Sequence, residues 1–137
     1  MKRPSPCVCL TMRRLTSSVT KYYDRVLAPC GLTVTQYAVL MNVSRSEHSS
    51  VTELAYMVEL ERSTLTRILR PLFKQGLVVD KKEPGARNSQ LGLTEEGRKT
   101  IGRATPLWLK AQDDVKLKLG EEGRLALEKM VGSLSDI

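Results

Sequence analysis

Residues 51 to 94, VTELAYMVELERSTLTRILRPLFKQGLVVDKKEPGARNSQLGLT, constrain the fold more than any other stretch. They read as two short helices joined by a tight turn, then a strand, a basic loop and a second strand. With the 3.6-residue period applied from roughly Glu61 to Gln75, Leu65, Ile68, Leu69 and Leu72 fall at i, i+3, i+4 and i+7. Such a stripe must face a core. Ser63, Thr66, Arg67, Arg70 and Lys74 fall on the opposite face, and no acidic residue follows Glu61 until Asp80. An ordinary solvated face would more often mix Glu with Lys.

The neighbours give this helix a context. Val51, Leu54, Ala55 and Val58 form the buried side of the preceding helix, with Thr52 or Ser50 as its cap. Downstream, Leu77, Val78 and Val79 read as a buried strand, and Gln90-Leu91-Gly92-Leu93 as a half-exposed one. Between them, Lys81 to Asn88 holds a Pro84-Gly85 turn and the cations Lys81, Lys82 and Arg87. The order describes a winged helix-turn-helix, in which a helix enters the major groove and the loop forms the wing. The expected DNA-facing set is Arg62, Ser63, Thr64, Thr66, Arg67, Arg70, Lys74, Lys82 and Arg87. Arg suits guanine and phosphate, while Ser and Thr reach base edges or backbone oxygens. A basic face that is merely solvated is the competing reading.

The strings VTELA, ERSTLTRILRPL, GLV, the wing Arg and LTEEG together resemble the MarR (multiple antibiotic resistance regulator) family of bacterial transcription factors. The likeness runs from about Leu10 through the C-terminal helices. It implies a homodimeric DNA-binding repressor or activator, often released from its operator by a small phenolic or lipophilic ligand or by thiol oxidation. Two positions depart from the family pattern. The turn between the two helices has Glu59 where Gly is common, at a cost of roughly 1 kcal/mol if the backbone is left-handed there. Two residues before Arg87 stands Gly85, where the family usually has an acid that orients the Arg. Within the recognition helix, Pro71 removes one hydrogen bond and is expected to kink the rod near Arg67.

The fold class expected is mainly α (α+β), a single domain over 1–137. Within it, 34–94 forms the winged core, and 7–28 and 95–137 supply dimerisation helices. Met12, Leu15, Val19, Tyr22, Tyr23 and Val26 make a stripe on a first helix that ends before Pro29. A second helix after Thr33 presents Tyr37, Leu40, Met41 and Val43 to the winged core. A long helix capped by Thr94 carries Ile101, Ala104, Trp108, Ala111, Val115 and Leu119 until Gly120 breaks it. A last helix then buries Leu125, Leu127, Met130, Val131 and Leu134. One monomer has too few partners for all of these stripes, and in proteins resembling this one the first and last helices pack on their symmetry mates.

The net charge of +7 is placed unevenly. Residues 62 to 87 hold seven Lys or Arg against two acids, residues 1 to 25 six against one, and 88 to 137 eight against eight. A cationic field concentrated in this way steers a chain toward polyphosphate. The opening MKRPSPCVCLTMRR lacks the apolar core of a secretory signal, and no stretch approaches the roughly 18 apolar residues of a membrane span. The expected compartment is the bacterial cytoplasm, with no membrane partner.

Cys7 and Cys9 form a C-x-C at the start of the first helix, with Arg13 and Arg14 beyond, and Cys30 precedes Gly31. Cations and a helix N-terminus favour the reactive thiolate, which makes Cys7 and Cys9 candidates for redox sensing. The competing reading is of small, inert residues near a chain end. The ligand arithmetic for a metal is poor, no cofactor is expected, and His48 reads as a solvated loop residue. Neither a Gly-rich phosphate loop nor a histidine beside a nucleophile nor an apolar carboxylate pair is present, so no enzyme is expected. By resemblance an effector pocket would lie near Met12, Tyr37, Met41 and Trp108, although such a stripe is more often plain core. A thiol redox protein using Cys7 and Cys9, or a winged helix that binds only proteins, are the alternatives.

Overall fold

The computed structural model describes residues 6–137. The expected basic N-terminal arm therefore falls in part, at Lys2 and Arg3, outside the described residues. The elements in chain order are α1 (Val8–Leu27), a 3-10 turn (Ala28–Cys30), α2 (Val34–Arg45), α3 (Val51–Val58), α4 (Arg62–Lys74), β1 (Val78–Asp80), β2 (Leu91–Leu93) and α5 (Glu95–Leu134).

Local chemistry sets most boundaries. Thr33 and Gln36 close a capping box on α2, and Ser50 and Glu53 close another on α3, so Ser50 rather than Thr52 is the cap there. Thr94 accepts from the Gly97 N–H at 2.9 Å and opens α5. After α3 the chain turns through Glu59 at φ 55°, ψ 43°, with Leu60 N–H bonded to the Ala55 carbonyl, a left-handed helix stop of Schellman type. The expected strain at Glu59 is therefore present. The α4 rod is continuous through Pro71, against the tendency of proline to divide it. Pro71 lies in the last turn, so the helix ends soon after, and the carbonyl it cannot pair belongs to exposed Arg67.

The core is aliphatic. Leu27, Leu40, Leu54, Leu65, Leu69, Leu72 and Leu91 are fully buried, together with Val39 and Val43. Leu65, Leu69 and Leu72 follow the stripe read from sequence, with Ile68 half-buried at its edge. Val39, absent from the sequence-derived stripe of α2, is as buried as Leu40 because α2 is surrounded on more than one side. The sheet is an antiparallel pair in the register Val78↔Leu93, Val79↔Gly92, Asp80↔Leu91. Ser49 adds one bridge to Leu91, making the α2–α3 loop a third edge.

Several burial expectations are corrected. Val79 is exposed, because alternation on β1 turns it away from the core that takes Val78. Leu91, Gly92 and Leu93 are all buried rather than half-exposed, since the Lys81 stem lies across Gly92: a Cβ there would sit 2.7 Å from Lys81 Cε. The last segment does not bury its stripe within one chain. Leu125, Leu127, Met130, Val131 and Leu134 remain exposed, as do Met12 and Leu15 of α1. α5 is interrupted at Gly120 (φ 70°, ψ 175°), as the glycine implied, and also passes through Pro106. α1 packs along α5, Tyr22 donates to Asp114 and Tyr23 to Gln112, and an apolar groove of about 600 Å³ stays open beside Val19, Tyr22, Val115 and Leu119. Its continuation, about 440 Å³, runs past Leu15, Leu127 and Met130.

Two glycine-related sites give opposite predictions. A Cβ on Gly97 would stand 2.2 Å from the Leu77 carbonyl oxygen, so Gly97→Ala should lower the urea midpoint, by about 2 kcal/mol or more of stability. Glu59→Gly should raise it by about 0.5 to 1 kcal/mol by relieving the left-handed turn.

Candidate nucleic-acid interface

α4 turns its apolar side into the core and its polar side outward. Arg62, Ser63, Thr66, Arg67, Arg70 and Lys74 are exposed, and Thr64 is half-buried. The hydroxyls are partly engaged. Thr66 Oγ1 donates to the Arg62 carbonyl at 2.9 Å, which leaves its lone pairs as acceptors, and an Arg67 guanidinium nitrogen reaches Thr64 Oγ1 at 3.5 Å. None of the four cations on α4 has an ion-pair partner among the described residues. Unpaired guanidinium groups on one exposed rigid face suit phosphate and guanine, which supply the missing acceptors.

The wing is anchored at its base and open at its tip. Asp80 Oδ1 accepts the backbone N–H groups of Gln90 (2.9 Å) and Lys82 (3.1 Å), which holds its carboxyl below the usual range. The tip turns from Glu83 to Ala86 through Gly85 at φ 84°. Lys82 and Arg87 are both exposed, and Arg87 has no carboxylate partner among the described residues, as the glycine at 85 implies. Ser89 Oγ accepts the Val51 N–H at 3.0 Å, tying the returning strand to the start of α3. α4 and the wing thus both leave cations exposed, and the wing is tied to the start of α3 beside α4.

A further ion-pair cluster was not foreseen. Glu47 reaches Lys81 Nζ at 3.3 Å and Arg98 at 3.6 Å, joining residues 34 and 51 positions away. No local pattern signals a contact of that range. The Lys81 ammonium is the main cause that holds the Glu47 carboxyl below its ordinary value.

The four residues expected near an effector are not all together. The Tyr37 and Trp108 rings lie 5.7 Å apart, with the Tyr37 hydroxyl 2.9 Å from Thr105 Oγ1, and Met41 packs against the same core. Met12 lies elsewhere, in a groove with Leu127, Met130 and Leu134. Cys7 is the N-cap of α1, and Cys7 and Cys9 are exposed. His48 is exposed at φ 71°, and its N–H bonds the Leu91 carbonyl at 2.8 Å. Among the described residues no group of three or more His, Cys, Asp or Glu is placed to hold a metal, and no single helix is long and apolar enough to cross a membrane.

Comparison with known proteins places this geometry. The MarR family model matches residues 32–87, the segment from α2 to the wing tip. The regulator SarZ of Staphylococcus aureus is 34% identical over 92 residues, 66% of this chain and 62% of SarZ. The Mycobacterium tuberculosis transcriptional regulator MosR, solved in complex with DNA, is 35% identical, with 95% of this chain and 96% of that one covered and a TM-score of 0.81. The transcriptional repressor CouR, solved bound to p-coumaroyl-CoA, is 27% identical over 94% of this chain and 91% of its own, at a TM-score of 0.83. With the two-helix turn, the cationic α4 and the wing all in the family's arrangement, the chain belongs to the MarR family of winged helix-turn-helix transcriptional regulators.

Proposed function

We propose that this chain is a transcriptional repressor that binds a pseudo-palindromic operator as a homodimer and is released by a small ligand or an oxidant. The observation that carries the DNA reading is the exposed face of α4, where Arg62, Arg67, Arg70 and Lys74 stand without carboxylate partners among the described residues. α4 enters the major groove, with Arg67 and Arg70 at base edges and Ser63, Thr64 and Thr66 at bases or phosphates. Lys82 and Arg87 of the wing meet the neighbouring backbone and minor groove.

The homodimer is supported by the apolar faces of α1 and of α5 beyond Gly120, which one chain leaves exposed. A second copy buries them, and a two-fold axis then sets the two recognition helices about one helical turn of DNA apart. The structural relative CouR binds p-coumaroyl-CoA. Here the open groove between α1 and α5 and the packed Tyr37–Trp108 pair are the two places where a lipophilic or aromatic effector enters. Oxidation acts at exposed Cys7 and Cys9, at the N-terminus of the helix whose far face lines that groove.

Sedimentation at micromolar concentration should give a dimer, and genomic footprinting should recover half-sites about 10 bp apart. A monomer competent on one half-site contradicts this. Arg67→Ala should relax base preference and cost about 1 to 3 kcal/mol for each bidentate hydrogen-bonded pair with a base that it removes. Arg87→Ala should weaken binding to many sequences alike and lower the salt slope by about one unit. Mild peroxide should weaken operator binding by the wild type and leave a Cys7→Ser, Cys9→Ser double variant unaffected; equal responses exclude the thiols as sensors.

A further inference from the structure

Three charged residues meet at the base of the wing. Glu47 lies in the α2–α3 loop, Lys81 just beyond β1, and Arg98 in the first turn of α5. Glu47 Oε2 is 3.3 Å from Lys81 Nζ, and Glu47 Oε1 is 3.6 Å from Arg98 Nη1. The Lys81 stem lies across Gly92, with its Cε 2.7 Å from where a Cβ would stand, and its ammonium ends beside Glu47. The same loop is stitched to β2 next door, through His48 N–H to Leu91 O (2.8 Å) and Leu91 N–H to Ser49 O (2.9 Å). Arg98 is held from its other side by Glu95 at 3.5 Å. One carboxylate therefore bridges the outer end of β1 to the first turn of α5, apart from the Thr94 N–H and hydroxyl that bond the Leu77 and Gly76 carbonyls at the inner end of the strands.

We propose that Glu47 is a positioning residue for DNA binding, which through Lys81 and Arg98 fixes the wing against α5 and so sets where Lys82 and Arg87 point. The inference rests on the reading that the wing touches DNA. Glu47 touches no DNA itself. Its charge opposes a polyanion, so simple electrostatics demands that Glu47→Gln tighten DNA binding. A positioning role demands the opposite sign. The pairs are partly exposed, which limits the effect, because an exposed ion pair biases a two-state orientation by only a small factor.

The test is a double-mutant cycle on an operator duplex, read by fluorescence anisotropy over a series of salt concentrations, with wild type, Glu47→Gln, Arg87→Ala and the pair. Glu47→Gln should weaken binding about three- to fivefold and flatten the salt slope, and should add little once Arg87 is Ala. Arg98→Gln, which breaks the cluster from the helix side, should reproduce the loss with an unchanged urea midpoint. Unchanged or tighter binding by Glu47→Gln overturns the proposal. So does a loss of equal size with and without Arg87, which would locate the effect away from the wing. If Arg87→Ala alone changes nothing, the wing reading fails and the positioning role fails with it; if only Arg87→Ala weakens binding, the wing reading stands and the role of Glu47 is excluded.

Discussion

Burial of Leu65, Leu69 and Leu72 fixes the direction in which α4 faces, and everything the molecule offers to a nucleic acid follows from it. Each leucine contributes roughly 1.5 to 3 kcal/mol when fully removed from water. Rotating the helix to bring Arg67 or Arg70 inward would forfeit that burial and strand a guanidinium without a partner. The cationic face is therefore the other side of an apolar constraint. The same core takes Leu54 from α3, Leu40 from α2 and Leu91 from the wing strand, so helix, turn and wing share one rigid foundation.

The wing is less deeply founded. Its two strands are three residues each, and its place depends on a few polar anchors: Asp80 across the hairpin base, Ser89 to the start of α3, and Glu47 across to α5. Such anchors are individually weak, and a two-stranded hairpin is marginal alone. In the proposed complex this division sets a deeply packed helix beside a wing held by weaker anchors. The Glu47 anchor also connects the wing to α5, the helix that continues past Gly120 into the exposed apolar face assigned to the second copy.

The elements were legible where local periodicity and capping decide structure. The α4 stripe, the Thr94 cap and the break at Gly120 all follow from residues within a turn of one another, whereas the left-handed turn at Glu59 was raised only by the family pattern, which has Gly there. What was not legible depends on distant neighbours. Gly92 reads as half-exposed until the Lys81 stem is laid across it, and Val39 reads as peripheral until α2 is surrounded. Pro71 shows the reverse, a strong local signal absorbed because it falls in the last turn of its helix. In the candidate site, the cations of α4 lie on the face that periodicity assigned them, and Lys82 and Arg87 are exposed in the loop that Pro84-Gly85 marked. The Glu47 cluster spans 51 residues of sequence and has no local mark. Met12 parts from Tyr37 and Trp108 because it sits far up α1, beside the last turns of α5.

The most direct test of the account is a hydroxyl-radical footprint of the wild-type protein on its operator, read at single-nucleotide resolution. A recognition helix in the major groove flanked by a wing over the adjoining minor groove predicts paired backbone protections on both strands, repeated once about 10 bp away. Loss of only the flanking protections in Arg87→Ala would separate the wing from the helix. Protection without the flanking pair in the wild type, or none that survives competition by unrelated duplex at physiological salt, would contradict the claim that α4 and the wing form one sequence-reading surface.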